Sequence, residues 1–330
     1  TSNPLRQEVY YPIADGQGVA DLYLPAGDGN HSAVLFFQGV VPGGRYDPRI
    51  VNLANGLARS GMIVMIPWSD TQTENRIITS DIDNLVYGFQ FLRQHESTDP
   101  EKVGMGGICV GASLSVVAAQ DKRIRDHVRF VNFFAGYYDA TDFVRAIGSK
   151  SRYYNNYVVP WDTDKLTHQI FRNHLIDGLT NEADKKILNR IFKDYEQVSK
   201  SEMGSLTIEG TAVYGLLTGV PFDEVDVLID QLSPNTKAFL HTISPSTNID
   251  QLKARILIMH DSADRLVPSE ESRRLVDGLG KDSDTYYTEF SSFQKQIQVH
   301  MAESESVSPV DYAREVLKLF MHMYNIMNEV

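Results

Sequence analysis

Three residues far apart in the chain have the types that covalent acyl chemistry requires. Cys109 stands in Gly107-Ile108-Cys109-Val110-Gly111, between the short apolar run VGMGGI and a stretch of small residues that reads as a helix. A thiol attacks a carbonyl carbon once a base removes its proton, and flanking glycines permit a tight strand-to-helix turn where a Cβ would meet neighbouring backbone. The following helix turns its positive end toward the sulfur, so a thiolate is expected.

The base needs an imidazole and the imidazole needs a carboxylate to orient it. ARILIMHDSADRLVPSEES ends an apolar run in a loop that carries Asp264, and His300 follows beyond the last strand-like run. Asp261 is the rival acid. The D-x-x-V-P context places Asp264 at the top of the loop and favours it. His260 reads as a strand-end residue, and His322, inside LFMHMYNIM, as a residue on a helix face. Two backbone N–H groups must hold the oxyanion. Val110 supplies one, and the loop after SAVLFFQG supplies the other, with Val40 as the donor and Gln38 and Gly39 beside the substrate. The rings of Tyr137, Tyr138, Tyr153, Tyr154 and Trp161, in AGYYDATDFV and SRYYNNYVVPW, are candidates to line the pocket or to pack between two parts of the fold.

Other chemistries find no support. The spacing of His168 and His174 does not put them on one helix face, so no metal pair is read there. Asp223 to Asp226, DEVD, reads as a solvated helix start. GMGGICVG has neither the spacing of a dinucleotide fingerprint nor a phosphate-binding lysine, and no cofactor or metal is expected.

These residues must be held by a sheet. EVYYPIADGQGVADLYLP alternates around an Asp-Gly turn signal and predicts an antiparallel hairpin. Buried parallel strands are predicted at SAVLFFQG, MIVMIPW, VGMGGI, VRFVNFFAG and ARILIMH, with helices at RIVNLANGLARSG and over Ile77 to Gln94. A last strand is expected at Thr285 to Phe290 and a terminal helix at Pro309 to Met327. Strand and helix in alternation argue for a mostly parallel α/β sheet. Residues 149–245 break the pattern, being polar, amphipathic and poor in strand-like runs, and read as a helical cap inserted into a sheet domain formed by 1–148 and 246–330.

With 31 basic and 43 acidic side chains among 330 residues, the net charge of −12 argues against nucleic acid as a partner. No apolar run is long enough to cross a bilayer, and TSNPLRQEVYY lacks a signal-peptide layout. A soluble protein without membrane partner is expected. The single cysteine cannot form an intrachain disulfide and favours a reducing, cytoplasmic setting. A small acyl compound is the expected partner, and a homodimer is compatible with the composition.

GICVG, HDSADRLVP and the late His300 resemble the α/β-hydrolase superfamily, whose chain order is nucleophile, acid, histidine. The cysteine makes the sequence similar to the dienelactone hydrolase family, with a cap that the small members lack. FQGVVPGGRYD also lacks the glutamate that helps to switch on the thiol in that family. The resemblance implies an enzyme that cleaves a carboxylic ester, lactone or thioester through an acyl-cysteine. Acyl transfer and peptide-bond cleavage would use the same residues, and a catalytically silent ligand-binding protein is the reading from a different class.

Overall fold

The computed structural model describes residues 3–281, 283–291 and 308–329. Strands β1 (Leu5–Ile13) and β2 (Gly16–Leu24) form the expected antiparallel hairpin. β3 (His31–Phe37), β4 (Ile63–Trp68), β5 (Thr98–Ile108) and β6 (Phe130–Phe134) follow, separated by α1 (Pro48–Arg59), α2 (Ser80–Arg93) and α3 (Val110–Ala119). α4 (Ala140–Ser149) leads to a separate hairpin, β7 (Ser151–Tyr154) and β8 (Tyr157–Pro160). Six helices come next: α5 (Lys165–Asp177), α6 (Glu182–Phe192), α7 (Lys200–Met203), α8 (Ile208–Thr218), α9 (Val225–Asp230) and α10 (Pro234–Thr242). The chain then returns through β9 (Arg255–Asp261), α11 (Glu270–Leu279), β10 (Thr285–Phe290) and α12 (Pro309–Met327).

The main sheet has eight strands in the order β1-β2-β4-β3-β5-β6-β9-β10. β2 runs antiparallel to β4, and every pairing from β4 to β10 is parallel. Strands covered on both faces need apolar side chains on both, which is why they read as unbroken apolar runs. In β3, Ala33, Leu35 and Phe37 join the core beneath α2 and α3, while Val34 and Phe36 join the core beneath α1 and α12. The register aligns the strand ends: Phe37 lies beside Gly107, Ile108 beside Phe134, and Phe134 beside Met259. Gln38, Cys109, Ala135 and His260, the next residue of each strand or its loop, therefore emerge along one edge.

Between β8 and β9 five of the six helices begin where short polar side chains accept backbone N–H groups. Asp164, Asn181, Ser199, Thr207 and Ser233 each do so for the helix that follows. The β7–β8 hairpin differs from the sequence reading, which placed no strand in this stretch. Asn155 and Asn156 make a two-residue turn with Asn155 at φ 52, a conformation that asparagine tolerates, and Tyr157-Val158-Val159 favours extended backbone.

Candidate active site

Cys109 occupies a strained turn at the end of β5. Its φ of 55° and ψ of −132° lie where residues with a Cβ seldom go, and its amide donates to Phe134 O at 2.9 Å. The glycines on either side are needed for contact, not for flexibility. A Cβ on Gly111 would stand 2.1 Å from Phe37 O and 2.5 Å from the Gly39 nitrogen. One on Gly107 would stand 2.4 Å from Phe37 O and from the Gly111 carbonyl carbon. The loop after β3 thus lies directly on the first turn of α3. Gly39, at φ 69°, could carry a Cβ only 2.4 Å from Val110 Cγ1. Gln38, Gly39, Cys109 and Val110 are brought together in this way, with Val40 packed against the same core. Gln38 is buried, and neither polar atom of its side chain finds a partner among the described residues.

The half-buried thiol is not held as a thiolate. Burial pushes its pKa up to about 12, reinforced by the negative charges of Asp264 and Asp164, and the hydrogen bond from the Val110 amide opposes this only in part. The expectation drawn from the helix end is corrected here: one amide and the helix dipole do not outweigh an apolar site facing two carboxylates.

Asp264 is buried on the loop after β9. Its Oδ1 accepts the amides of Leu266 at 2.6 Å and Val267 at 3.2 Å, and its Oδ2 lies 3.5 Å from His260 Nε2. His260 is itself fully engaged, by Ser272 Oγ at 2.7 Å and Val267 O at 3.0 Å. It therefore steadies the acid loop instead of offering a free base. Asp261 accepts the amide of Ala263 at 2.9 Å within its own turn. His300 lies outside the described residues.

An apolar cavity of about 80 Å³ opens beside Cys109 and Val110. Tyr137, Phe143 and Ile147 wall one side, and Phe171 and His174 from α5 and Phe239 from α10 wall the other. Tyr137 is the member of the aromatic set found in this lining. Its ring stacks on Phe143 at 5.5 Å, and Ser113 Oγ ties its backbone to α3, accepting its amide at 2.9 Å and donating to its carbonyl at 2.8 Å.

The other four rings point elsewhere. The Tyr138 hydroxyl packs against Gly278. Tyr153 lies beneath the Arg274 guanidinium at 4.1 Å, and the Tyr154 hydroxyl donates to Asp277 at 2.7 Å. Trp161 Nε1 donates to Asp264 O at 2.9 Å. Tyr153, Tyr154 and Trp161 join the segment before α5 to α11 and the acid loop, and Tyr138 packs on α11, the packing role weighed beside the pocket role in their sequence.

Phe143, Phe171 and Phe239 were not singled out in the sequence at all, and His174 is a cavity residue that the sequence raised only for the metal question. Its Nε2 accepts the Ile77 amide at 2.9 Å, and only the helical spacing of Phe171, His174 and Leu175 hinted at a shared face. Among the described residues no group of three metal-ligating side chains occurs.

No family model and no curated protein matches the sequence. Solved structures do. The Pyrococcus horikoshii acylaminoacyl peptidase is 13% identical, with a TM-score of 0.55 over 98% of this chain and 42% of its own. The 2,6-dihydroxy-pseudo-oxynicotine hydrolase is 11% identical, with a TM-score of 0.53 over 98% of this chain and 67% of its own. Esterase 2 of Thermogutta terrifontis, solved as the tabun adduct, is 14% identical, with a TM-score of 0.51 over 99% of this chain and 96% of its own. The chain thus spans about two fifths of the length of that peptidase. What these proteins share with it is the scaffold, and the chain has the α/β-hydrolase fold, an eight-stranded, mostly parallel sheet flanked by helices.

Proposed function

We propose that the protein is a hydrolase of carboxylic acyl bonds, acting on esters, lactones or thioesters of small apolar acids through an acyl-cysteine. The observation that carries this reading is the position of Cys109, on a positive-φ elbow in the lining of an apolar cavity, with a hydrogen bond from the Val110 amide to its sulfur. A nucleophile, an oxyanion donor and a water-poor acyl slot meet at one point.

In the proposed reaction the thiol stays protonated until attack. His300, oriented by Asp264, takes the proton from Sγ as Sγ adds to the carbonyl carbon. The oxyanion is held by the amides of Val110 and Val40. Collapse of the tetrahedral species breaks the bond to the leaving group, which departs with the proton from the imidazolium. Water then gives its proton to His300, adds to the thioester carbonyl and releases the acid and the restored thiol. The helices between β8 and β9 serve as a cap that keeps bulk water from the intermediate.

Cavity size sets the acyl group. A space of about 80 Å³ is smaller than the roughly 150 Å³ that holds a benzene ring, so it suits a chain of a few carbons. The test is hydrolysis of p-nitrophenyl acetate, butyrate and octanoate. Turnover is expected to favour the first two, and Cys109→Ala and His300→Ala should each lower kcat at least about a thousandfold. Mass spectrometry of the quenched enzyme should find the acyl group on Cys109. Undiminished turnover in Cys109→Ala would remove the assignment.

A further inference from the structure

Among the described residues that line the cavity beside Cys109, the His174 ring keeps a hydrogen-bonding position that no other described residue fills. Thr167 donates its hydroxyl to Leu266 O at 2.9 Å, Tyr137 donates to Ile243 O at 3.3 Å, and Thr236 Oγ1 is bonded to Ser233 Oγ at 2.9 Å. His174 is different. Its Nε2 accepts the Ile77 amide at 2.9 Å, and a ring nitrogen that accepts carries no proton, so the neutral imidazole keeps its hydrogen on Nδ1. That N–H makes no hydrogen bond among the described residues.

The ring is fixed as well as half-used. Phe239 stacks on it at 5.0 Å with an interplanar angle of 15°, and the Ile77 amide holds one nitrogen in place. Burial, with the nearby positive charge of Arg76, lowers its pKa to about 4, which keeps it a neutral donor at physiological pH. A neutral, oriented N–H in an apolar lining discriminates between ligands: one with an acceptor gains a hydrogen bond, and one without it leaves the donor unpaired.

We propose that His174 determines substrate specificity: its Nδ1–H donates to an acceptor oxygen carried on the acyl chain, so that the enzyme takes short oxo- or alkoxy-acyl groups in preference to plain alkyl ones of equal length. The proposal rests on the reading of Cys109 as the acyl acceptor. It adds a second recognition point to a cavity otherwise lined by apolar surface.

The experiment pairs substrates of matched size, p-nitrophenyl methoxyacetate with the butyrate and the 4-oxopentanoate with the hexanoate, each rate divided by that of alkaline hydrolysis. The normalised kcat/KM ratio should favour the oxygen-bearing ester roughly tenfold in the wild type. It should fall to about one in His174→Phe, and return in part in His174→Gln, whose amide supplies both a donor and an acceptor for the Ile77 N–H. A wild-type ratio near one, or a ratio unchanged in His174→Phe, overturns the proposal. Binding of the free acids separates its failure from that of the acyl-cysteine reading. In Cys109→Ala protein, which lacks the nucleophile, 4-oxopentanoic acid should raise Tm more than hexanoic acid does, and His174→Phe should abolish the difference. If that difference is present while Cys109→Ala turns over ester normally, only the assignment of Cys109 falls; if the two acids give equal shifts, the assignment of His174 falls.

Discussion

The indole N–H of Trp161 is hydrogen-bonded to the carbonyl oxygen of Asp264 at 2.9 Å. Two further links run beside it: the Asp164 amide donates to Arg265 O at 2.7 Å, and the Thr167 hydroxyl to Leu266 O at 2.9 Å. The loop that carries the candidate acid is thus suspended from the segment leading into α5. Its position is set from two sides, by His260 of β9 and by the same residues that begin the helical stretch.

Trp161→Phe keeps an aromatic ring, deletes the donor and leaves a small void where the wider indole stood. Leaving Asp264 O without that partner should cost about 1 kcal/mol, readable as a lower urea midpoint. Turnover of p-nitrophenyl butyrate should fall several-fold, because the loop is freer while its other links remain. A variant with the stability loss but wild-type kcat would show that the loop does not need this tether for catalysis.

The elbow makes a sharper prediction. Gly111→Ala places a Cβ 2.1 Å from Phe37 O, a backbone atom that cannot swing aside as a side chain could. The loop after β3 must lift off α3, separating Gly39 and Val40 from Val110. Loss of at least about 3 kcal/mol is expected, together with loss of esterase activity in any protein that remains folded. Gly56→Ala, on α1 with open space around its Cβ position, is the matched control and should be neutral to slightly stabilising.

What could be read from the sequence follows from how local each constraint is. The strands at 63–68 and 285–290 and the helix at 309–327 were legible because burial on two faces, or on one stripe, writes its period directly into consecutive residues. GICVG was legible because its two glycines flank the nucleophile in consecutive sequence, although what they make room for, Phe37 O and the loop after β3, lies far earlier in the chain. The direction of the tyrosines was not. Composition marked the rings at 137, 138, 153 and 154 as amphipathic, but which of them faces Cys109 depends on the β7–β8 hairpin and on α11, distant in sequence. His174 was invisible as a cavity residue for the same reason, since its partner Ile77 lies 97 positions away. His322 read as an ordinary helix-face residue and proves to be completely buried, bonded to Asn132 Oδ1 at 2.9 Å and Thr288 Oγ1 at 3.1 Å.

That burial has a pH signature. His322 has its pKa lowered from 6.5 to about 4 because the charged ring would lose its solvation. The neutral form is native, so the contribution is fully present above pH 6.5. As the pH falls toward 4 the unfolded chain takes up a proton that the folded one refuses, and stability is lost through this window. By pH 4.5 the loss should be roughly 2–3 kcal/mol from this residue. Urea unfolding at pH 7.5, 6.0 and 4.5 should show the decline, and His322→Gln, which preserves a donor and an acceptor, should flatten it. His174 shifts in the same direction, so part of the slope should survive that substitution.

The thiol offers the most direct test of how the nucleophile is activated. Cys109 is the only cysteine, so alkylation by iodoacetamide reports on it alone. With its pKa pushed up to about 12 by burial and by Asp264 and Asp164, little thiolate exists at pH 7, and labelling should be far slower than for an ordinary thiol. The rate should climb about tenfold per pH unit from 7 to 9 without a plateau. Asp164→Asn removes one of the two negative charges, and the asparagine can still accept the Leu166 amide that Asp164 accepts at 2.7 Å at the start of α5. This variant should therefore label several times faster at fixed pH while α5 stays intact. A plateau below pH 9 in the wild type would mean that a thiolate is preformed, and that attack does not wait for the proton to be taken by a base.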